Sequence, residues 1–284
     1  MNFHQPPHTY VEKVDLKVMN LDRSINFYEN VIGLKVLQKE GNVVHLTANG
    51  VDPLVTLHQP ENVTPKVGKT TGLYHFALLL PNRVDLANVI YHFTENGIPF
   101  GSSDHLVSEA LYLLDPDGNG IEIYRDRPPS EWIWRGNEVE MAVDPLNIRE
   151  LLELHDNKPW TGLPAETIMG HIHLHVSELK ETENFYTNGL GFEVVCRYGS
   201  QALFISTGKY HHHIGLNTWN GVGAPKPAES SVGLNTYKLV YPSAEARKRA
   251  IESIQKLGAT IIEKDSYVLT KDPSGNSIEM HVHQ

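Results

Sequence analysis

Apolar and polar residues alternate along Val14-Asp15-Leu16-Lys17-Val18 and again along Ile172-His173-Leu174-His175-Val176, the period-two pattern of a strand with one buried face. The same alternation groups Phe76 with Leu78 and Leu80, and Ile121 with Ile123. Elsewhere the period lengthens. Val84, Ala87, Val89, Ile90 and Phe93 recur at helical spacing up to a stop at Asn96-Gly97, and Ala246, Ala250, Ile251, Ile254 and Leu257 do so up to Gly258. Gly, Asn and Asp-Pro turns break the stretches after each helix into short strands.

These elements repeat. Phe27-Tyr28 and Gly33-Leu34 recur as Phe185-Tyr186 and Gly191-Phe192, and Lys13 falls at the position of His171, each pair 158 residues apart. Gly72-Leu73 with Asp115-Pro116-Asp117-Gly118-Asn119 recurs as Gly233-Leu234 with Asp272-Pro273-Ser274-Gly275-Asn276. A repeat of this kind is one supersecondary unit used several times. The pattern predicts an α+β fold of four βαβββ modules: modules one and two over 8–124, a linker over 125–168 with one helix from Leu146 to His155, and modules three and four over 169–284.

Composition narrows the chemistry. The 284 residues carry a net charge of −10 with no basic run, which points away from nucleic acid and anionic membranes as partners. No apolar stretch approaches the length that crosses a bilayer, and the N-terminus lacks a signal-like apolar core, so the expectation is a soluble, cytoplasmic protein. Cys196 is alone, excluding an internal disulfide and a cysteine-based zinc site. Against that single Cys stand 16 His, and imidazole with carboxylate suits iron, manganese, nickel or zinc.

Gly72-Leu73-Tyr74-His75-Phe76-Ala77, Asp115-Pro116-Asp117-Gly118-Asn119-Gly120-Ile121-Glu122, Gly170-His171-Ile172-His173-Leu174-His175-Val176 and Tyr210-His211-His212-His213-Ile214-Gly215 together resemble the vicinal oxygen chelate superfamily of glyoxalases, bleomycin-resistance proteins and extradiol dioxygenases. Within it they look most like catechol 2,3-dioxygenase-type proteins. The resemblance implies modules paired into two curled-sheet domains and a metal held by two His and one carboxylate. Strand faces put His171, His173 and His175 toward the funnel, and His75 and Glu122 opposite the core-facing Phe76 and Ile121.

At the ligand position of the opening strand the four modules carry Lys13, His75, His171 and Thr236, while the closing strands carry about Thr56, Glu122, a site beside His213, and Glu279. Pairing in chain order leaves each half short of a ligand. Pairing module two with module three completes the set as His75, Glu122 and His171. Chain-order pairing stays open, with His171, His213 and Glu279 as its site. By resemblance, His213 is the acid/base, and Tyr112 and His105 hydrogen-bond the substrate. The implied reaction is extradiol cleavage of a small aromatic diol by dioxygen with Fe(2+); Mn(2+), Ni(2+) or Zn(2+) would accompany the alternative of a glyoxalase-like or isomerase enzyme. A metal-free binding protein of the bleomycin-resistance kind is a further alternative, and homo-oligomer formation is left open. His281 and His283 read as surface residues, Trp132, Trp134 and Trp160 as packing of the linker, and Cys196 as a small buried side chain.

Overall fold

The computed structural model describes residues 2–284. Module one runs β1 (Tyr10–Lys17), α1 (Leu21–Phe27), β2 (Lys35–Glu40), β3 (Val43–Thr47) and β4 (Pro53–His58); module two runs β5 (Gly72–Leu79), α2 (Arg83–Glu95), β6 (Gly101–Asp104), β7 (Ser108–Leu114) and β8 (Gly120–Asp126). The linker holds a two-strand hairpin, β9 (Trp134–Arg135) and β10 (Glu138–Val139), and α3 (Ile148–Leu152). Module three comprises β11 (Ile168–His175), α4 (Leu179–Asn184), β12 (Glu193–Tyr198), β13 (Ala202–Ser206) and β14 (Ile214–Asn217), and module four β15 (Gly233–Tyr241), α5 (Ala244–Lys256), β16 (Ile262–Glu263), β17 (Val268–Lys271) and β18 (Ser277–Val282). Local chemistry sets the helix starts: Asn20, Asn82 and Ser243 accept backbone N–H groups of the first turns of α1, α2 and α5. The linker helix is shorter than its apolar spacing predicts, because Leu154 and His155 bond back only three residues and close it with a tighter turn.

Two eight-stranded sheets form, ordered β16-β17-β18-β15-β1-β4-β3-β2 and β12-β13-β14-β11-β5-β8-β7-β6. Each sheet takes one module from each half of the chain. Residues 8–124 and 169–284 delimit pairs of modules along the sequence, while the hydrogen-bonded units are one with four and two with three. The two sheet centres match: β1 meets β15 as β11 meets β5, antiparallel, with Lys13 opposite Lys238 where His171 is opposite Ala77.

Modules adjacent in sequence pack back to back instead of edge to edge. The Tyr28 hydroxyl of module one donates to Asp115 Oδ2 of module two at 3.0 Å, and the Tyr186 hydroxyl of module three donates to Asp272 Oδ2 of module four at 3.1 Å. Both aspartates are buried in the Asp-Pro turn and also accept the backbone and side-chain N–H of Asn119 or Asn276, so no buried oxygen is stranded. One apolar core, which includes Leu16, Tyr28, Phe76, Phe93, Ile172, Tyr237 and Ile278, spans all four modules. The linker crosses module one at Gly33, whose carbonyl accepts Leu163 N–H at 2.8 Å and whose Cα hydrogens face the Trp160 ring. Trp160 stacks on His92, and Trp132 donates its indole N–H to Val107 O, so both pack the linker down as expected. No helix among the described residues is long and apolar enough to cross a membrane.

Gly120 opens β8 directly beside His75, and a methyl group there would stand 2.1 Å from Tyr74 O. Gly120→Ala is expected to cost about 1–3 kcal/mol in urea unfolding, as overpacking against backbone does. Gly101→Ala, whose new methyl would meet nothing closer than 3.8 Å, should stay within about 0.5 kcal/mol of the parent.

Candidate metal centre

The register across three central strands builds the site. β11 places His171 opposite Ala77, and β8 places Glu122 beside the same Ala77 from the other side. His75 lies two residues before Ala77 on β5 and therefore on the same face. A methyl group in the middle of the row leaves His171 and Glu122 free to reach over it. Glu122 Oε2 lies 3.0 Å from His75 Nε2 and 3.1 Å from His171 Nε2, and the two nitrogens are 3.4 Å apart. All three residues are buried, and among the described residues they are the one group of three metal-ligating side chains that converges.

Burial by itself would raise the Glu122 carboxyl, but the facing His171 and His75 pull it well below the usual carboxylate range. Burial lowers His171, partly offset by that carboxylate. Glu122 is thus a charged oxygen donor beside two imidazoles, a donor set that fits a divalent transition metal. His171 Nδ1 is buried without a hydrogen-bond partner, so the ring is held by packing against Tyr124 and His212.

A cavity of about 380 Å³ opens over His75 and Glu122, lined mainly by apolar surface from Tyr74, Tyr112, Met141, Ala142, Val143, His173, Phe204, His212 and Trp219. That size suits one aromatic ring with small substituents. Tyr112 sits opposite Glu122 on β7, and its hydroxyl is 2.6 Å from His105 Nε2. His105 donates Nδ1–H to Ala142 O at 2.6 Å, which in the neutral ring leaves Nε2 to accept from Tyr112. Burial and the Glu122 charge hold the Tyr112 phenol well above its ordinary range, as a proton-bearing hydroxyl.

The structure brings together His75, Glu122, His171, Tyr112 and His105, but not His213. Extrapolating the alternation of β14 backwards puts His213 on the funnel face; the chain instead bends at 211–213. His213 Nε2 donates to Phe3 O at 3.0 Å and Nδ1 accepts Thr207 N–H at 3.3 Å, so both its nitrogens are spent on the N-terminal segment and a neighbouring loop. His212 faces the cavity in its place. The set His171, His213 and Glu279 is not assembled, since Glu279 belongs to the other sheet. There the matching positions hold Lys13, Lys238, Thr236 and Glu279: Lys13 pairs with Asp15 at 3.1 Å, and Thr236 donates to Glu279 Oε1 at 3.0 Å. Two ammonium groups replace His171 and Ala77, which disfavours a cation. Sequence reasoning missed the linker residues Met141 to Val143 as a cavity wall, because irregular backbone carries no periodicity to assign a face.

The family model described as the Glyoxalase/Bleomycin resistance protein/Dioxygenase superfamily matches residues 10–123 and 168–280. A catechol-2,3-dioxygenase of Bacillus subtilis (strain 168) is 46% identical over 269 residues, covering 93% of this chain and 94% of that protein. Among solved structures, a putative dioxygenase from Bacillus subtilis subsp. subtilis str. 168 superposes with a TM-score of 0.66 at 14% identity, covering 96% of this chain and 84% of that one. Glyoxalase I from Zea mays superposes with a TM-score of 0.59 at 14% identity over 96% and 92% of the two chains. At these identities the two superpositions establish the fold alone.

Removing one protein ligand of three leaves too few to hold a divalent ion against water. His75→Ala, Glu122→Gln and His171→Ala are each expected to lose the metal, and Glu279→Gln to keep it, as read by elemental analysis after desalting. Metal retained in His75→Ala and lost in Glu279→Gln would move the site to the other sheet.

Proposed function

The chain belongs to the glyoxalase/bleomycin resistance protein/dioxygenase superfamily, and within it we propose that it is an extradiol dioxygenase that opens a catechol-type ring beside the diol. The observation that carries this reading is the convergence of two imidazoles and one carboxylate, two of the three groups lining an apolar, ring-sized cavity. His75, Glu122 and His171 would hold iron(II). When bound, that ion would supply the redox chemistry that ring opening by dioxygen needs. The activity named for the Bacillus subtilis relative supports the same substrate class.

The chain's own groups handle the substrate. Tyr74, Phe204 and Trp219 offer aromatic surface to the ring. The Tyr112–His105 pair offers a polar contact to one diol oxygen and fixes which way the ring is inserted. His212, its charged form disfavoured by burial and by the neighbouring imidazoles, enters the reaction as a neutral base that takes a diol proton and later returns it. His213 has no part in that transfer, both nitrogens being occupied elsewhere. The mostly apolar walls favour a neutral aromatic substrate over a polyanion and shield the reacting atoms from bulk water. We place this activity in the cytoplasm, in the breakdown of aromatic rings.

Protein purified without oxygen and loaded with Fe(II) should convert catechol to a yellow ring-opened product, with one dioxygen consumed per ring. Activity restored equally by redox-inert Zn(II), or no oxygen uptake over a panel of catechols, contradicts the proposal. His212→Ala should retain the metal and lower turnover by about 10²–10⁴-fold, whereas His213→Phe should leave the pH-independent chemistry of the site in place and act mainly on stability.

A further inference from the structure

β8 carries more than a metal ligand. Glu122, Tyr124 and Asp126 occupy alternate positions of that strand and so share one face. Glu122 meets the two ligand histidines, Tyr124 packs on the His171 ring at 4.9 Å, and Asp126 Oδ1 lies 2.7 Å from His211 Nε2. His211 is fully buried, and its Nδ1 lies 2.8 Å from His212 Nδ1. The Tyr210 hydroxyl also donates to Asp126 Oδ1 at 3.3 Å and meets the Tyr124 hydroxyl at 2.7 Å. A continuous hydrogen-bonded path therefore runs from a partly exposed carboxylate, through a buried imidazole, to the imidazole at the cavity wall.

The donors and acceptors along this path can be assigned from chemistry. A carboxylate only accepts, so His211 carries its proton on Nε2. With Nδ1 of His211 as the acceptor, the 2.8 Å contact is donated by Nδ1–H of His212. That leaves the lone pair of His212 on Nε2, a nitrogen that makes no hydrogen bond among the described residues. We infer that Asp126 and His211 are positioning residues that lock His212 in the Nδ1–H form, with its basic nitrogen presented to the cavity. The inference rests on His212 being the acid/base of the proposed reaction. The arrangement follows the general logic of a base oriented by a third group, here with one imidazole between the carboxylate and the base.

The bend at 211–213 makes the path possible. The hydrogen bond from His213 to Phe3 O and the bond from His4 Nε2 to Gly170 O at 2.7 Å tie the N-terminal segment over the bend. In this conformation His211 meets Asp126 while His212 lines the cavity.

The test reads the tautomer directly, by ¹⁵N–¹H long-range correlation of the His212 ring in zinc-loaded, diamagnetic protein, and compares it with kinetics of the iron-loaded form. The parent should show the Nδ1–H tautomer at His212. Asp126→Asn, which keeps the shape but can donate to His211 as well as accept, should turn His212 into a mixture of tautomers. It should also lower kcat by about 10- to 100-fold, a part of the acid/base contribution, with KM and metal content unchanged. Asp126→Glu should restore part of both readouts, which separates positioning from loss of fold. An Nε2–H tautomer in the parent, or an unchanged tautomer and kcat in Asp126→Asn, overturns the inference. A parent protein inert toward catechols refutes the proposed reaction, and the tautomer measurement still decides the relay.

Discussion

The geometry of the centre depends on the antiparallel pairing of β5 with β11 and, within it, on Ala77. His171 and Glu122 are in register with this residue from opposite sides, and only a small side chain lets both reach across to His75. The other sheet repeats the pairing in the same register but has Lys238 where this one has Ala77, and Lys13 where it has His171. One backbone design thus carries a converging His-His-Glu set in one sheet and an internally neutralised polar cluster in the other. The difference lies in side-chain size and charge, since the strands themselves are matched.

That pairing is available only because modules adjacent in sequence do not share a sheet. Tyr28 to Asp115 and Tyr186 to Asp272 lock sequence neighbours back to back through buried hydrogen bonds, while sheet edges are completed by the module from the other half. A linker longer than a compact connection requires allows the exchange, and its chain then takes part in the site. Ala142 O orients His105, which orients Tyr112. Burial, register and linker path all act on the same few ångströms above Glu122. The His75, Glu122 and His171 cluster, His212 and Tyr112 therefore come from modules two and three, with the linker orienting His105 behind Tyr112.

Much of this was legible in the residues. The internal repeat and the period-two strands give the βαβββ modules, and Lys13 and Thr236 at ligand positions are what make chain-order pairing leave both halves incomplete. What the sequence could not show depends on contacts between distant segments. His212 rather than His213 faces the cavity because the chain bends at 211–213, where His213 is tied to the Phe3 carbonyl, and that bend breaks the alternation on which a face assignment relies. The importance of Ala77 is hidden for a similar reason: a small residue in an apolar strand has no signature until its neighbours across both edges are known. The cavity wall at Met141 to Val143 belongs to irregular backbone, where periodicity says nothing.

We propose that one metal ion is held jointly by modules two and three. Anomalous scattering at the iron edge from crystals of the iron-loaded protein tests it most directly. A single peak within coordination distance of His75 Nε2, His171 Nε2 and the Glu122 carboxylate is the predicted result. A peak beside Glu279 and Thr236, or none at the three ligands in protein that opens catechol, would contradict it.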